Sequence, residues 1–229
     1  MTHELTTYIS SISWVYVLLW LVWHLSAKYY FSKMFGRNTR WMNNMPIWRD
    51  CCALPLQLGG FLLLSYHDSG REAFRIIFPL FMLSDFFLVE KGFSNLLALH
   101  HIVCVVGHCI VVFFLPEGFD TYFAGVVTLE FGSGCMNIFT ISIARRRPSS
   151  SLVIPSLVYG VGMTLSNALA SYVALRWQKL PLSFVPKYFN LLITVIIVVV
   201  RQLKCHKNIS SVHRPEEQNG NARARVGKR

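Results

Sequence analysis

Charged residues are scarce in this chain, since only 14% of its 229 residues are Asp, Glu, Lys or Arg. Soluble domains carry about 25%. The six cysteines show no disulfide framework, and the sequence has neither an internal repeat nor a coiled-coil heptad pattern. These absences exclude an ordinary soluble domain, a disulfide-stabilised secreted domain and a repeat protein.

Long apolar stretches are what the chain has instead. It is 53% hydrophobic with a mean hydropathy of +0.43. Crossing a bilayer core of about 30 Å takes about 20 helical residues. Seven stretches approach that length: residues 11–31, 51–66, 73–89, 95–115, 122–144, 152–175 and 185–203. They predict an all-α, polytopic membrane bundle of about seven transmembrane helices. Because the second and third stretches are short, six spans plus one peripheral segment is the alternative.

The basic residues are distributed unevenly. With seven spans, 17 of the 22 Lys and Arg residues fall on one side, so the positive-inside rule predicts a non-cytosolic N-terminus and a cytosolic C-terminus. We therefore divide the chain into a non-cytosolic segment 1–10, a membrane domain 11–204 and a disordered basic tail 205–229. Since the net charge of +11 sits in loops and tails, it does not indicate nucleic-acid binding. Loop 32–50 mixes basic and aromatic residues, as in segments that lie on anionic headgroups.

Five polar residues within the apolar stretches are the candidate site: Asp85, His100, His101, Glu130 and Asn137. Ionisable groups in hydrocarbon are costly and usually line a functional cavity. Measured along the helices from the predicted cytosolic surface, Asp85, His101 and Asn137 share one depth. Glu130 and His108 share a deeper one. We therefore expect these groups to converge.

An imidazole beside a carboxylate can act as a general base or accept an acyl group, with Asp85 or Glu130 orienting the ring. The competing interpretation is a structural hydrogen-bond network between helices, and for His108 alone that interpretation is preferred. Three histidines without i, i+3 or i, i+4 spacing do not favour a metal site. We predict no resident metal or cofactor.

The chain resembles the TLC-domain family of endoplasmic-reticulum membrane proteins at Ser84-Asp85, at His100-His101 and at Glu130 with Asn137 seven residues later. The family includes the ceramide synthases, which transfer an acyl group from acyl-CoA and use a His-His pair. Phe131 and Gly132 stand where the family pattern has Leu and Ser, and the chain is most similar to the smaller TLC members. The resemblance implies residence in the endoplasmic reticulum, which an Arg223-Ala224-Arg225 retrieval-like pattern also favours.

Two functions follow as hypotheses. The first is a lipid acyltransferase that uses His100 or His101, with acyl-CoA as co-substrate and a membrane lipid as acceptor. The second is a non-enzymatic protein that binds, moves or senses lipids. A seven-helix receptor is disfavoured by the short loops and the acid–imidazole cluster. The oligomeric state stays open.

Overall fold

The computed structural model describes residues 11–35, 46–88, 95–145 and 152–213, and the description below is confined to these ranges. They form seven long helices and no strand: α1 (Ser11–Phe35), α2 (Ile47–Leu64), α3 (Asp68–Leu88), α4 (Asn95–Phe114), α5 (Phe119–Ala144), α6 (Val153–Trp177) and α7 (Phe184–His213). Each predicted apolar stretch coincides with one of these helices. The all-α fold class is confirmed.

Four of these helices are long and apolar enough to cross a membrane: α2, α5, α6 and α7. A shorter apolar helix, Ala98–Phe114, makes up most of α4. The chain is therefore a helical membrane protein. The two remaining helices, α1 and α3, fall outside this group, so the count of seven spans stays a prediction.

Helix α2 begins one turn earlier than the sequence predicts. Pro46 caps it in an extended conformation (φ −61°, ψ 134°), and the helix starts at Ile47. Farther along, Pro55 has no N–H to continue the normal ladder, and a π turn follows over Leu56–Gly60. Such widened turns occur mostly as single insertions and are frequent at functional sites. Gln57 lies within this turn.

Helix α2 is central because it packs against α1, α3 and α5. From there α5 packs along α6, and α6 along α7. Helix α4 packs mainly against α3, with which it forms a hairpin, and touches α5 only sparsely. Close approach of α5 to the π turn depends on Gly134, where an added Cβ would lie 2.9 Å from Leu58 and 3.2 Å from Gln57.

An aromatic cluster fills the part of the bundle toward the start of α3 and α5. Phe74 is at its centre, with its ring stacked on Phe123 at 3.9 Å between centroids and edge-on to Phe61 at 5.5 Å. Phe78 and Phe119 complete it, and all five rings are buried. Buried aromatic pairs in these arrangements contribute about 0.5–1.5 kcal/mol beyond their burial.

Helix α7 extends farther than predicted, to His213. The disordered tail predicted from residue 205 therefore has to be corrected for residues 205–213, whereas 214–229 and the Arg223–Arg225 pattern lie outside the described residues, as do residues 1–10. Apolar residues continue past the predicted end, and Cys205 and Asn208 pack against α6. Asn208 heads a glycosylation sequon, yet it is buried and its Nδ2 donates to Tyr159 Oη at 3.3 Å.

Candidate functional site

An ion pair between α2 and α3 forms one side of the polar core. Arg49 Nε donates to Asp85 Oδ1 at 2.9 Å, and its Nη2 donates to Oδ2 at 2.6 Å. The two side chains are only 11% and 4% exposed. A two-pronged guanidinium–carboxylate contact is among the stronger polar contacts in proteins, and it fixes the plane of the carboxylate.

His101 lies against the same carboxylate from α4, as the sequence predicts for the α3–α4 hairpin. Its Nδ1 is 3.6 Å from Asp85 Oδ2 and donates a 3.0 Å hydrogen bond to the carbonyl oxygen of Met82. A carbonyl oxygen can only accept, so Nδ1 carries the hydrogen of the neutral ring and Nε2 carries the lone pair. This is the tautomer that a general base needs, with the carboxylate beside its protonated edge.

His100 and His101 face different surroundings. His101 is 2% exposed, whereas His100 is exposed at the surface of the bundle, and their rings lie 5.6 Å apart. The ring nitrogens of His100 lie 3.8 and 3.9 Å from the sulfur of Cys104, one turn along α4. Of the two adjacent histidines, His101 is therefore buried and His100 is accessible.

Glu130 and Asn137 are joined by a residue that the sequence does not single out. Gln57 Nε2 donates to Glu130 Oε2 at 2.7 Å, and Gln57 Oε1 accepts a 2.6 Å hydrogen bond from Asn137 Nδ2. Both partners lie on one face of α5, as their i, i+7 spacing predicts. The π turn of α2 thus holds the predicted pair from α5 in place.

A further contact ties α2 to α5 one layer nearer the start of α2. Thr140 Oγ1 lies 2.9 Å from Asp50 Oδ2 and 3.0 Å from the carbonyl oxygen of Asn137, and its single hydroxyl hydrogen is shared between these two acceptors. Asp50 is fully buried. Because Asp50 follows Arg49 directly, the start of α2 brings a guanidinium and a carboxyl group into the bundle side by side.

The hydrogen bonds of His108 go to residues other than Glu130. Its Nε2 donates to the carbonyl oxygen of Arg75 at 3.0 Å, and its Nδ1 bonds to Tyr122 Oη at 3.2 Å. The ring packs against Phe74 and Phe78. These contacts join α4 to α3 and α5, and a structural role for His108 stays a prediction. Among the described residues, no group of three His, Cys, Asp or Glu side chains is arranged to hold a metal ion.

Four polar residues inside the bundle are not among the predicted site residues: Arg49, Asp50, Gln57 and Arg201. Arg49 falls in the predicted headgroup-binding loop 32–50, although Pro46 is a signal for an earlier helix start. Arg201 lies within the predicted last span, among the residues of the predicted cytosolic basic set, and its Nη2 donates to the carbonyl oxygen of Leu129 on α5 at 2.8 Å. For Gln57 the only sequence signal is a lone amide among apolar residues after a proline.

In comparisons with known proteins, no family model, no curated protein and no solved structure matches the chain. The candidate site therefore has to be interpreted from its own residues.

Proposed function

We propose that this membrane protein is a lipid acyltransferase of the TLC type, with His101 as its general base. The observation that carries the proposal is the pairing of His101 with Asp85 across the α3–α4 hairpin, in the tautomer that leaves Nε2 basic. The accessible His100 beside it is where a substrate would reach the pair. The sequence resemblance to the TLC family, at these same residues, supports the same chemistry.

The reaction we propose is transfer from a thioester such as acyl-CoA to the amine or hydroxyl of a membrane lipid. The acceptor heteroatom attacks the thioester carbonyl carbon while His101 Nε2 takes its proton. The carbon–sulfur bond then breaks, and His101 returns the proton to the leaving thiolate. Asp85, held by Arg49, stabilises the imidazolium that forms in between. Glu130 and Asn137, which are hydrogen-bonded to Gln57, are the polar residues that α5 contributes to the proposed site.

Acyl transfer is tested with the purified full-length chain in liposomes made from endoplasmic-reticulum lipid extract. Deuterated oleoyl-CoA is added, and lipids that acquire the label are identified by mass spectrometry. We expect a labelled lipid class with the native protein and about 10²–10⁴-fold less with His101→Ala, the range typical of a general base. No labelled lipid with the native protein, or equal labelling with His101→Ala, would overturn the proposal.

A second candidate function, lipid binding without turnover, is favoured by one specific observation. Each of the two acidic side chains is hydrogen-bonded to a residue other than a histidine, Asp85 to Arg49 and Glu130 to Gln57. A polar core satisfied in this way also suits a protein that binds or moves lipids. This candidate predicts that a lipid co-purifies with the chain, that no label is transferred, and that His101→Ala leaves the bound lipid unchanged.

The proposal places the protein in the endoplasmic reticulum with its C-terminus in the cytosol. Burial of Arg49 and Arg201 removes two residues from the predicted cytosolic basic set of 17, and the 15 that remain are a majority of the 22 Lys and Arg residues, which supports this orientation. The test is protease protection of a C-terminal tag in sealed microsomes. The sequon at Asn208 is unsuitable for the purpose because its side chain is buried.

A further inference from the structure

Cys104 on α4 is one of two cysteines in the chain that are not buried. All six cysteines lie in described helices; four of them are buried, whereas Cys104 and Cys109 are half-buried. Of these two, only Cys104 has histidines three or four residues away. The ring nitrogens of His100 lie 3.8 and 3.9 Å from Cys104 Sγ, and His100 is itself exposed. The thiol and the imidazole therefore form a pair that a molecule in the membrane can reach.

A thiol beside an imidazole can accept an acyl group. The thiol is a weak nucleophile until it loses its proton, and an adjacent imidazole can take that proton as the new bond to carbon forms. Side chains on a helix lean toward its N-terminus, so Cys104 leans toward His100. Because both nitrogens of His100 lie at nearly the same distance from the sulfur, either tautomer of the neutral ring has its lone pair close to the thiol.

Two neighbours of Cys104 suit an acyl group at this position. His101, the proposed general base, lies three residues before Cys104 and is therefore its neighbour on the helix surface. Gly107 lies three residues after Cys104, and a Cβ added there would meet nothing within 4 Å. The adjoining Val103 and Val106 are exposed. An acyl chain attached to Cys104 therefore has open, apolar space beside it and starts within one helical turn of the base.

We propose that Cys104 receives the acyl group from acyl-CoA before the group passes to the lipid, with His100 as the base of this first step. The sulfur of Cys104 attacks the thioester carbonyl carbon while His100 takes the thiol proton. The bond from that carbon to the sulfur of coenzyme A breaks, and His100 gives the proton to the departing thiolate. One thioester replaces another, so no further reactant is needed. The acceptor lipid then attacks the Cys104 thioester with His101 as base.

This inference rests on the proposed acyl transfer and is tested with the purified full-length chain in liposomes of dioleoyl phosphatidylcholine, a lipid without a free amine or hydroxyl. Deuterated oleoyl-CoA is added, the reaction is stopped with acid, and mass spectrometry of the intact and the digested chain locates the label. We expect one acyl group on Cys104 that neutral hydroxylamine releases, as it does from thioesters. His100→Gln should slow this labelling by about 10²-fold or more, because the base is lost.

Two further variants separate the reaction from general accessibility. Cys109→Ala, on the same helix and equally half-buried, is the matched control and should be labelled at the native rate. Gly107→Leu fills the open space beside Cys104 without touching either reacting group, so labelling should be slower. Its melting temperature should be no lower than that of the native chain, because leucine is a better helix former than glycine.

Equal labelling of Cys104 and Cys109 in the native chain, or equal rates for the native chain and His100→Gln, would show unassisted acylation of accessible thiols and overturn the inference. The lipid-labelling assay in endoplasmic-reticulum extract judges the proposed function separately. Lipid labelling that survives in Cys104→Ala would overturn the two-step route and leave transfer by His101 in place, whereas the absence of both labels would remove both. Label that leaves Cys104 when the extract is added to the native chain, and stays there in His101→Ala, supports both steps.

Discussion

His101 and His108 lie on the same face of α4, are equally buried, and each donate a 3.0 Å hydrogen bond to a backbone carbonyl of α3. Their neighbours differ. His101 adjoins an ion pair, and beyond it lies a chain of amide and carboxyl groups, whereas His108 is enclosed by phenylalanine and tyrosine rings. Burial and a backbone hydrogen bond are therefore common to both histidines. What distinguishes His101 is the neighbouring Asp85 carboxylate, because this negative charge can stabilise the ring after it takes up a proton.

The largest effect on stability is expected from breaking the ion pair between Arg49 and Asp85. Arg49→Met leaves Asp85 buried without its partner, which should cost about 3–5 kcal/mol in the free energy of unfolding. Unfolding in detergent mixtures measures the change. The matched control is Arg71→Gln, which loses contacts to the exposed Asp68 and Asp120 and a 3.3 Å hydrogen bond to the carbonyl oxygen of Ser65, and should change stability by about 1 kcal/mol or less. Similar losses for both variants would contradict the buried pair.

A smaller loss in the free energy of unfolding is expected from Gln57→Leu. This variant tests whether Gln57, in the π turn, stabilises the positions of Glu130 and Asn137 on α5. The substitution leaves the Asn137 amide and the Glu130 carboxyl without this partner and should cost about 1–3 kcal/mol. The same unfolding measurement applies, and an unchanged stability would show that the bridge contributes nothing. Leu58→Ala is not a suitable control because Leu58 packs at Gly134. Leu62→Ala, exposed on the same helix, is suitable.

A comparable or slightly smaller loss in the free energy of unfolding is expected from a substitution at Gly132, where α5 contacts the Arg201 side chain. A Cβ added at Gly132 would overlap the Arg201 guanidinium and Ser166, so Gly132→Ala should cost about 1–3 kcal/mol. Gly107 on α4 has open space at the same position, and Gly107→Ala should be neutral or stabilise by up to about 1 kcal/mol. The two alanine variants differ in surroundings alone, so equal stabilities would contradict the packing at Gly132.

The smallest effect on function is expected within the aromatic cluster. His108→Phe replaces one ring with another among Phe74 and Phe78, and the hydrogen bonds to the Arg75 carbonyl oxygen and to Tyr122 are lost. We expect a loss of about 1–3 kcal/mol in unfolding free energy, because these buried groups lose their partner, and no loss of acyl transfer by the folded protein. Lost acyl transfer at normal abundance would place His108 in the functional site and remove the contrast with His101.

Most of the fold could be predicted from the sequence because helices in lipid must satisfy their own backbone and must be long and apolar. The contact between Asp85 and His101 could also be predicted, since both lie eight residues from position 93, the centre of the short predicted connection between their two apolar stretches. Their partners were not. Gln57 reaches Glu130 only because Pro55 widens the helix and Gly134 lets α5 approach, and neither effect is visible as a periodic pattern. His108 and Glu130 are predicted to share a depth, but equal depth does not fix which neighbour a side chain faces, and His108 bonds to Arg75 and Tyr122.

The most direct test of the account is a paired rescue in cells that lack the protein. Native chain, His101→Phe and His108→Phe are expressed at matched membrane abundance, and the lipid classes are quantified by mass spectrometry. The account predicts that the native chain and His108→Phe restore the same lipid class and that His101→Phe does not. Equal restoration by both variants would show that His101, like His108, only holds helices together, and would contradict the proposed transfer.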